Sequence, residues 1–264
     1  MCFSVQFLLS ADGCRETDFS SMQCIVYGAS PITEAILIDA MQTFGCEFVQ
    51  GFGLTETTGS ISVLEHCDHD PTGPRAHLLR SCGRPISTHD IKILDLVTGA
   101  EMPEGDVGEI CVKGRQVMKG YWRDEKATRE SFIDGWFRTG DAGYLKGGYL
   151  YIHDRVKDMI ISGGENIYPA EIENVLMQHP LVADCAVIGV PSDRWGETVK
   201  AIVSRSDEGL SEQMLIEHCR KLLAAYKCPK SVDWTTDIPR NSSGKILKVE
   251  LRKPYWKGKA RQVS

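Results

Sequence analysis

Residues 148–169 run Gly-Tyr-Leu-Tyr-Ile-His-Asp-Arg-Val-Lys-Asp-Met-Ile-Ile-Ser-Gly-Gly-Glu-Asn-Ile-Tyr-Pro and place four demands on one short span. Tyr149-Leu150-Tyr151 is an aromatic strand, and Asp154-Arg155-Val156-Lys157-Asp158 is a charge cluster. Met159-Ile160-Ile161 is apolar, and Gly163-Gly164 is a tight turn. Pro169 suits the first turn of a helix, where its missing N–H costs nothing. A structural segment rarely needs all of these together. The charge cluster between two apolar runs divides the chain into residues 1–154 and residues 155–264.

Upstream, Met22 to Tyr27 reads as a strand ending at Gly28. Ile32 to Phe44 carries apolar residues at helical spacing. Cys46 to Val49 reads as a second strand that Gly51-Phe52-Gly53 breaks, a layout on which α/β proteins place ligand loops. Asp90–Leu94 and Glu109–Lys113 are β-like, and Tyr144 to Tyr151 reads as a hairpin turning at Gly147-Gly148. A small antiparallel sheet or partial barrel is expected there. Beyond residue 155 a compact α+β unit is expected. Its parts are a helix from Pro169 ended by His179-Pro180, strands at Val182–Val190 and Thr198–Ser204, and a helix capped by Ser211. The apolar face of that last helix would include Met214, Leu215, Cys219, Leu222 and Leu223.

At 264 residues the chain holds one large or two modest domains. A net charge of -6 and a pI near 5.7 speak against a nucleic-acid partner. No apolar run approaches the ~20 residues of a membrane span. Met1 to Leu9 lacks the basic flank of a signal peptide. The 10 cysteines include no C-x-x-C pair and lie mostly in apolar surroundings, so reduced, buried thiols in a cytoplasmic protein are expected. His66 and His69 flank Asp68 without ligand spacing, and the segment that follows reads as a polar loop with no metal.

Four segments carry chemistry. In Gly51-Phe52-Gly53-Leu54-Thr55-Glu56 the glycines allow close backbone approach, and the Phe52 ring can stack on a base. The Thr55 hydroxyl can donate to a phosphate oxygen, and Glu56 is a hard oxygen ligand for Mg²⁺. In Phe137-Arg138-Thr139-Gly140-Asp141 the Asp141 carboxylate can accept both hydrogen bonds of a diol. Arg155 is a rigid donor fork suited to ribose or phosphate oxygens. Lys245, in Pro239-Arg240-Asn241-Ser242-Ser243-Gly244-Lys245, sits on a Ser/Gly loop able to deliver one ammonium to a reacting centre.

Together these segments resemble the acyl-adenylate-forming enzymes: acyl-CoA synthetases, luciferases and peptide-synthetase adenylation domains. The resemblance implies the C-terminal part of an α/β AMP-binding large domain with a small barrel-like sheet, followed by a mobile α+β lid domain. It implies adenine contact at Gly28-Ala29-Ser30, and nucleotide contact at Gly51, Phe52, Gly53 and Thr55. It implies Mg²⁺ at Glu56, ribose at Asp141, nucleotide at Arg155 and a hinge at Lys157. Lys245 would be the adenylation lysine, and Gly163-Gly164 would line the pantetheine tunnel of CoA. Trp195 and Tyr226 lie near CoA contacts of some relatives, but core packing is the favoured reading and CoA contact the alternative. Cys228 stands where those relatives often carry Arg.

The implied substrates are ATP, CoA and a fatty or aromatic carboxylic acid. The family's Ser/Thr/Gly-rich phosphate loop has no match before Tyr27, so the chain reads as a C-terminal fragment. Three functions stay open: a piece of an acid–CoA ligase, an adenylation module loading a carrier protein, or a non-catalytic remnant. The third includes half of a split enzyme that binds a separate N-terminal half.

Overall fold

The computed structural model describes residues 2–29, 32–241 and 244–258, and the chain divides into two compact units, Met1–Ile152 and His153–Ser264. The first unit opens with helix α1 (Cys2–Leu9), strand β1 (Cys24–Gly28), helix α2 (Glu34–Phe44) and strand β2 (Glu47–Leu54). Thr33 caps α2 by accepting from the Ile36 N–H, and Gly45, at φ 58, ends it in the left-handed region. β1 and β2 are parallel, with Tyr27 opposite Gln50 and Gly28 opposite Gly51. β3 (Gly59–Leu64) runs antiparallel to β2, and β4 (Arg84–Pro85) completes this sheet in the order β1-β2-β3-β4. α2 buries Leu37, Ala40 and Phe44 against Tyr27 and Phe48 of the sheet.

One expectation fails here. Gly51-Phe52-Gly53 does not break β2, which runs through it to Leu54. The glycines serve non-local packing instead. A Cβ on Gly53 would stand 1.9 Å from the Gly59 carbonyl oxygen, and one on Gly28 would stand 2.2 Å from the Gly51 carbonyl oxygen. A side chain at either place would push the strands apart.

The second sheet of this unit contains β5 (His89–Leu94), β6 (Gly108–Gly114), β7 (Phe132–Ile133), β8 (Trp136–Lys146) and β9 (Tyr149–Arg155) in antiparallel meander-like pairing, with helix α3 (Glu125–Glu130) before β7. β8 and β9 turn at Gly147-Gly148, as the sequence suggests. Ile61 from the first sheet packs with Ile93, Ile110, Val112 and Leu150 from the second, so one core joins the two.

The second unit is a five-stranded sheet formed by β10 (Ile160–Ser162), β11 (Glu165–Ile167), β12 (Val182–Ser192), β13 (Gly196–Arg205) and β14 (Ser231–Trp234). Helices α4 (Pro169–Leu176) and α5 (Glu212–Leu222) cover it, burying Ile172, Leu176, Leu215 and Cys219 against Val187, Ala201 and Val203. Ser211 caps α5 by accepting from the Met214 N–H. Met214 and Leu222 of the expected apolar face are exposed, because the buried stripe of α5 runs through Leu215 and Cys219. Helix α6 (Lys248–Trp256) has no sequence antecedent; it packs on β12 and β13 through Leu251 and Tyr255 against Ile188, Val190 and Ile202. Cys14, Cys82, Cys111, Cys185, Cys219 and Cys228 are buried free thiols, whereas Cys24 and Cys67 are exposed. No helix among the described residues is long and apolar enough to cross a membrane.

Candidate functional site

In the first unit, the parallel pairing of β1 with β2 brings the turns that follow Tyr27 and Leu54 to the same carboxyl edge of the sheet. This edge is where open α/β sheets bind ligands. Ala29 holds φ 65, a left-handed conformation uncommon for a residue with a Cβ. Ser30 of the expected adenine turn lies outside the described residues.

Thr55, Glu56 and Thr57 form a 3₁₀ turn after β2. The buried Thr57 pins it: its Oγ1 accepts from the Leu54 N–H at 3.0 Å and donates to the Gly59 carbonyl at 2.8 Å. Thr55 is left exposed and Glu56 half-buried. The Tyr121 hydroxyl donates to Glu56 Oε1 at 2.9 Å, and the Met118 N–H donates to the Glu56 carbonyl at 2.7 Å. Nothing in the sequence signals Tyr121, which is 65 residues away. The Phe52 ring is half-buried and packs in part against the Ile61–Ile110–Leu150 core. What this segment offers a ligand is backbone and the Thr55–Glu56 pair.

Among the described residues no group of three or more His, Cys, Asp and Glu is assembled for a metal. One carboxylate beside one hydroxyl fits Mg²⁺, which keeps waters and is held largely by substrate phosphates.

Asp141 lies in a bulge of β8, where the register against β6 shifts between Glu109 and Cys111. Gly140 takes φ 70 in this bulge. The buried Glu109 fixes it: Oε1 accepts from the Gly140 N–H at 3.2 Å, and Oε2 accepts from Arg138 Nε at 2.7 Å. The Thr139 hydroxyl donates to the Ile110 carbonyl at 2.8 Å and accepts from the Asp141 N–H at 3.1 Å. Asp141 is thus a buried carboxylate held on a braced backbone. The sequence reading misses Glu109, although a lone charge inside Gly108-Glu109-Ile110-Cys111-Val112 is a visible signal.

In the second unit Asp154 joins the end of β9 to α4: Oδ1 accepts from the Arg155 N–H and Oδ2 from the Ala170 N–H. Arg155 is half-buried, and Lys157 is exposed on the 3₁₀ turn Val156–Asp158. Gly163 and Gly164 make the two-residue turn between β10 and β11, at φ 62 and 89, the sign required by a type I′ hairpin. The Gly163 N–H donates to the Trp195 carbonyl at 2.9 Å. A Cβ on Gly163 would stand 2.8 Å from Trp195 Cε3, so the indole covers this turn directly. Core packing does not account for Trp195 or Tyr226, which are 46% and 45% exposed. Arg194 lies over the Trp195 ring, 4.6 Å from its centroid. Cys228 is buried, with burial pushing its thiol up.

Lys245 is exposed on a loop closed by two hydrogen bonds with Asn241: the Asn241 N–H donates to the Lys245 carbonyl, and the Lys245 N–H donates to Asn241 Oδ1. Arg240 donates to the Gly244 carbonyl at 2.9 Å and to both Asp184 oxygens, anchoring the loop to β12. α6 follows, fixed by Lys248–Glu173 and Arg252–Asp158 ion pairs, each at 2.9 Å.

Known proteins resemble this chain along nearly its whole length. Residues 4–122 match the AMP-binding enzyme family, and residues 171–245 match the AMP-binding enzyme C-terminal domain. The chain is 41% identical over 262 residues to a fatty acid–[acyl-carrier-protein] ligase of Streptomyces coeruleorubidus, covering 98% of this chain and 50% of the relative. It is 44% identical to a feruloyl-CoA synthase of Amycolatopsis over 246 residues, 91% of this chain and 48% of the relative. The o-succinylbenzoate CoA synthetase of Bacillus subtilis, solved with its acyl-adenylate intermediate, superposes with a TM-score of 0.77 at 38% identity, over 88% of this chain and 46% of that one. ATP-bound MatB of Rhodopseudomonas palustris gives 0.85 at 34% identity, over 96% and 50%. The chain spans about half the length of the curated relatives it matches.

Proposed function

The chain belongs to the adenylate-forming superfamily of AMP-binding enzymes, matching their C-terminal portion, and we propose that it serves an ATP-dependent ligase joining a fatty or aromatic carboxylic acid to CoA through an acyl-AMP intermediate. The observation that carries this reading is the parallel pairing of β1 with β2, which sets the turns after Tyr27 and Leu54 on one carboxyl edge of the sheet. Because the chain spans half the relatives' length, the activity is proposed for the whole protein. The rest of that length would come from the same polypeptide or from a separate N-terminal half acting as its partner.

In the first half-reaction a substrate carboxylate oxygen attacks the α-phosphorus of ATP, and the bond to pyrophosphate breaks. The backbone of Gly28 and Ala29 at the end of β1, with Gly51 and Gly53 of the neighbouring strand, would meet the adenine. The braced Asp141 would accept from the ribose hydroxyls, with Arg155 donating to nucleotide oxygens. The Thr55 hydroxyl and the Lys245 ammonium would stabilise charge developing on phosphate oxygens, which is most of what phosphoryl chemistry asks of a protein. Mg²⁺ at Glu56 would supply further neutralisation of the phosphates.

In the second half-reaction the CoA thiolate attacks the acyl carbon and AMP leaves. Lys157 is the proposed hinge about which the second unit turns between steps. The Gly163-Gly164 turn and Trp195 are the proposed contacts of the pantetheine arm, which needs small residues where it passes closely.

The identity to an acyl-carrier-protein ligase favours a second acceptor, a carrier-bound phosphopantetheine, whose reacting thiol is chemically the same. ATP–pyrophosphate exchange against short, medium, long and aromatic acids tests the first half and names the acid class. CoA and a pantetheinylated carrier protein offered to the product distinguish the acceptors. Absence of exchange with every acid, in the whole protein, would contradict the function.

A further inference from the structure

Beneath the proposed adenine turn lies a buried polar contact between the end of β1 and the turn that precedes the expected polar loop. His69 follows the 3₁₀ turn His66–Asp68 and is 8% exposed. Its Nε2 lies 3.0 Å from the hydroxyl of Tyr27, which is 1% exposed and immediately precedes Gly28. Its Nδ1 lies 2.9 Å from the Glu65 carbonyl oxygen. A carbonyl only accepts, so the imidazole proton sits on Nδ1. Nε2 then carries the lone pair, and the Tyr27 hydroxyl donates to it.

We propose that His69 is a positioning residue for nucleotide binding: its neutral imidazole accepts from Tyr27 and thereby fixes the end of β1 from which Gly28 and Ala29 meet the adenine. This rests on the proposed function above.

The surroundings assign the neutral form. From its own segment His69 faces the side chains of His66 and Asp68, and from β1 it faces Tyr27. β2 contributes the Phe48 ring and Gln50, and Glu47 of that strand pairs with His66. The nearest carboxylate, Asp68, is already engaged by Arg75 at 3.1 Å and by the Tyr149 hydroxyl at 3.0 Å. Burial lowers the affinity of His69 for a second proton more than Asp68 raises it. Once protonated, Nε2 becomes a donor, the Tyr27 hydroxyl must reverse to accept from it, and burial opposes the added charge. Acid therefore loosens the packing of His69 beneath the ligand turn.

The test measures AMP binding to the full chain by calorimetry from pH 8 to 5, with ¹⁵N NMR of the imidazoles. Wild type is expected to bind AMP about threefold to tenfold more weakly at the acid end, the worth of one hydrogen bond. His69→Gln supplies a carbonyl to accept from Tyr27 and an amide N–H to donate to Glu65, so it should bind as wild type at neutral pH and lose the acid limb. His69→Ala and Tyr27→Phe should bind more weakly at every pH. The NMR signals should show the Nδ1–H tautomer at neutral pH. Equal affinity in wild type, His69→Ala and Tyr27→Phe, or an Nε2–H tautomer, overturns the proposal while leaving the nucleotide site standing. Failure of wild type to bind AMP contradicts the nucleotide reading and removes the positioning role with it.

Discussion

Arg252 Nη1 donates to Asp158 Oδ1 across 2.9 Å, with the two side chains 9% and 11% exposed, and so ties α6 to the turn that carries Lys157. The partners are 94 positions apart. The proposed adenylation lysine and the proposed hinge residue therefore flank two ends of one rigid connection inside the second unit. Removing one partner leaves the other charge buried and unmatched. Arg252→Ala should cost about 3–5 kcal/mol, whereas replacing both partners with apolar residues of similar size should cost far less. Urea denaturation of the single and double variants checks this; equal losses in both would rule out the ion pair as the cause.

Glu109 offers a cleaner perturbation, because both its oxygens brace the bulge that presents Asp141. Glu109→Gln keeps the shape but can satisfy only one of Arg138 and the Gly140 N–H. The KM for ATP should rise about tenfold, one charge-assisted hydrogen bond's worth, with the circular dichroism unchanged. Initial-rate kinetics at saturating acid would show it.

Gly163 and Trp195 form a steric lock. Gly163→Ala places a Cβ 2.8 Å from the indole at a backbone φ of 62. The left-handed conformation alone should cost about 1–2 kcal/mol. Thioester formation should slow and adenylation should not. Adding Trp195→Ala should relieve the clash but not the backbone cost, a difference that a double-mutant cycle resolves.

The buried His69 and the half-buried His153 weaken the fold toward acid. Burial lowers the proton affinity of both His69 and His153 below the ordinary imidazole value. Over the window beneath about pH 6.5 the unfolded chain binds protons that the folded chain does not, so unfolding free energy falls as pH falls. The urea midpoint should be level from about pH 8 to 7 and decline below about pH 6.5. The decline should be shallower in His69→Gln.

Much of this molecule is legible locally. α2, α4, α5 and the β8–β9 turn follow from periodicity, Ser211, Pro169 and Gly147-Gly148, because each is decided by neighbours in the chain. What escapes is decided at a distance. Gly51 and Gly53 read as strand breakers, yet they exist for Gly28, Ser60 and Gly59 to approach. The role of His69 escapes the sequence because its partner Tyr27 is 42 residues back. Trp195 reads as core because an indole so often is, but here it covers a glycine turn at the surface. The second unit's α6 shows no clear period, and its placement depends on the Arg252 and Lys248 ion pairs.

The most direct test separates the two half-reactions in Lys245→Ala, within the whole protein. ATP–pyrophosphate exchange should fall by about 10²-fold or more, as for loss of one donor to a developing oxyanion. Thioester formation from preformed acyl-adenylate should stay within a few-fold of wild type. Equal losses in both halves, or exchange that persists unchanged, would contradict the role of Lys245 and with it the proposed division of labour.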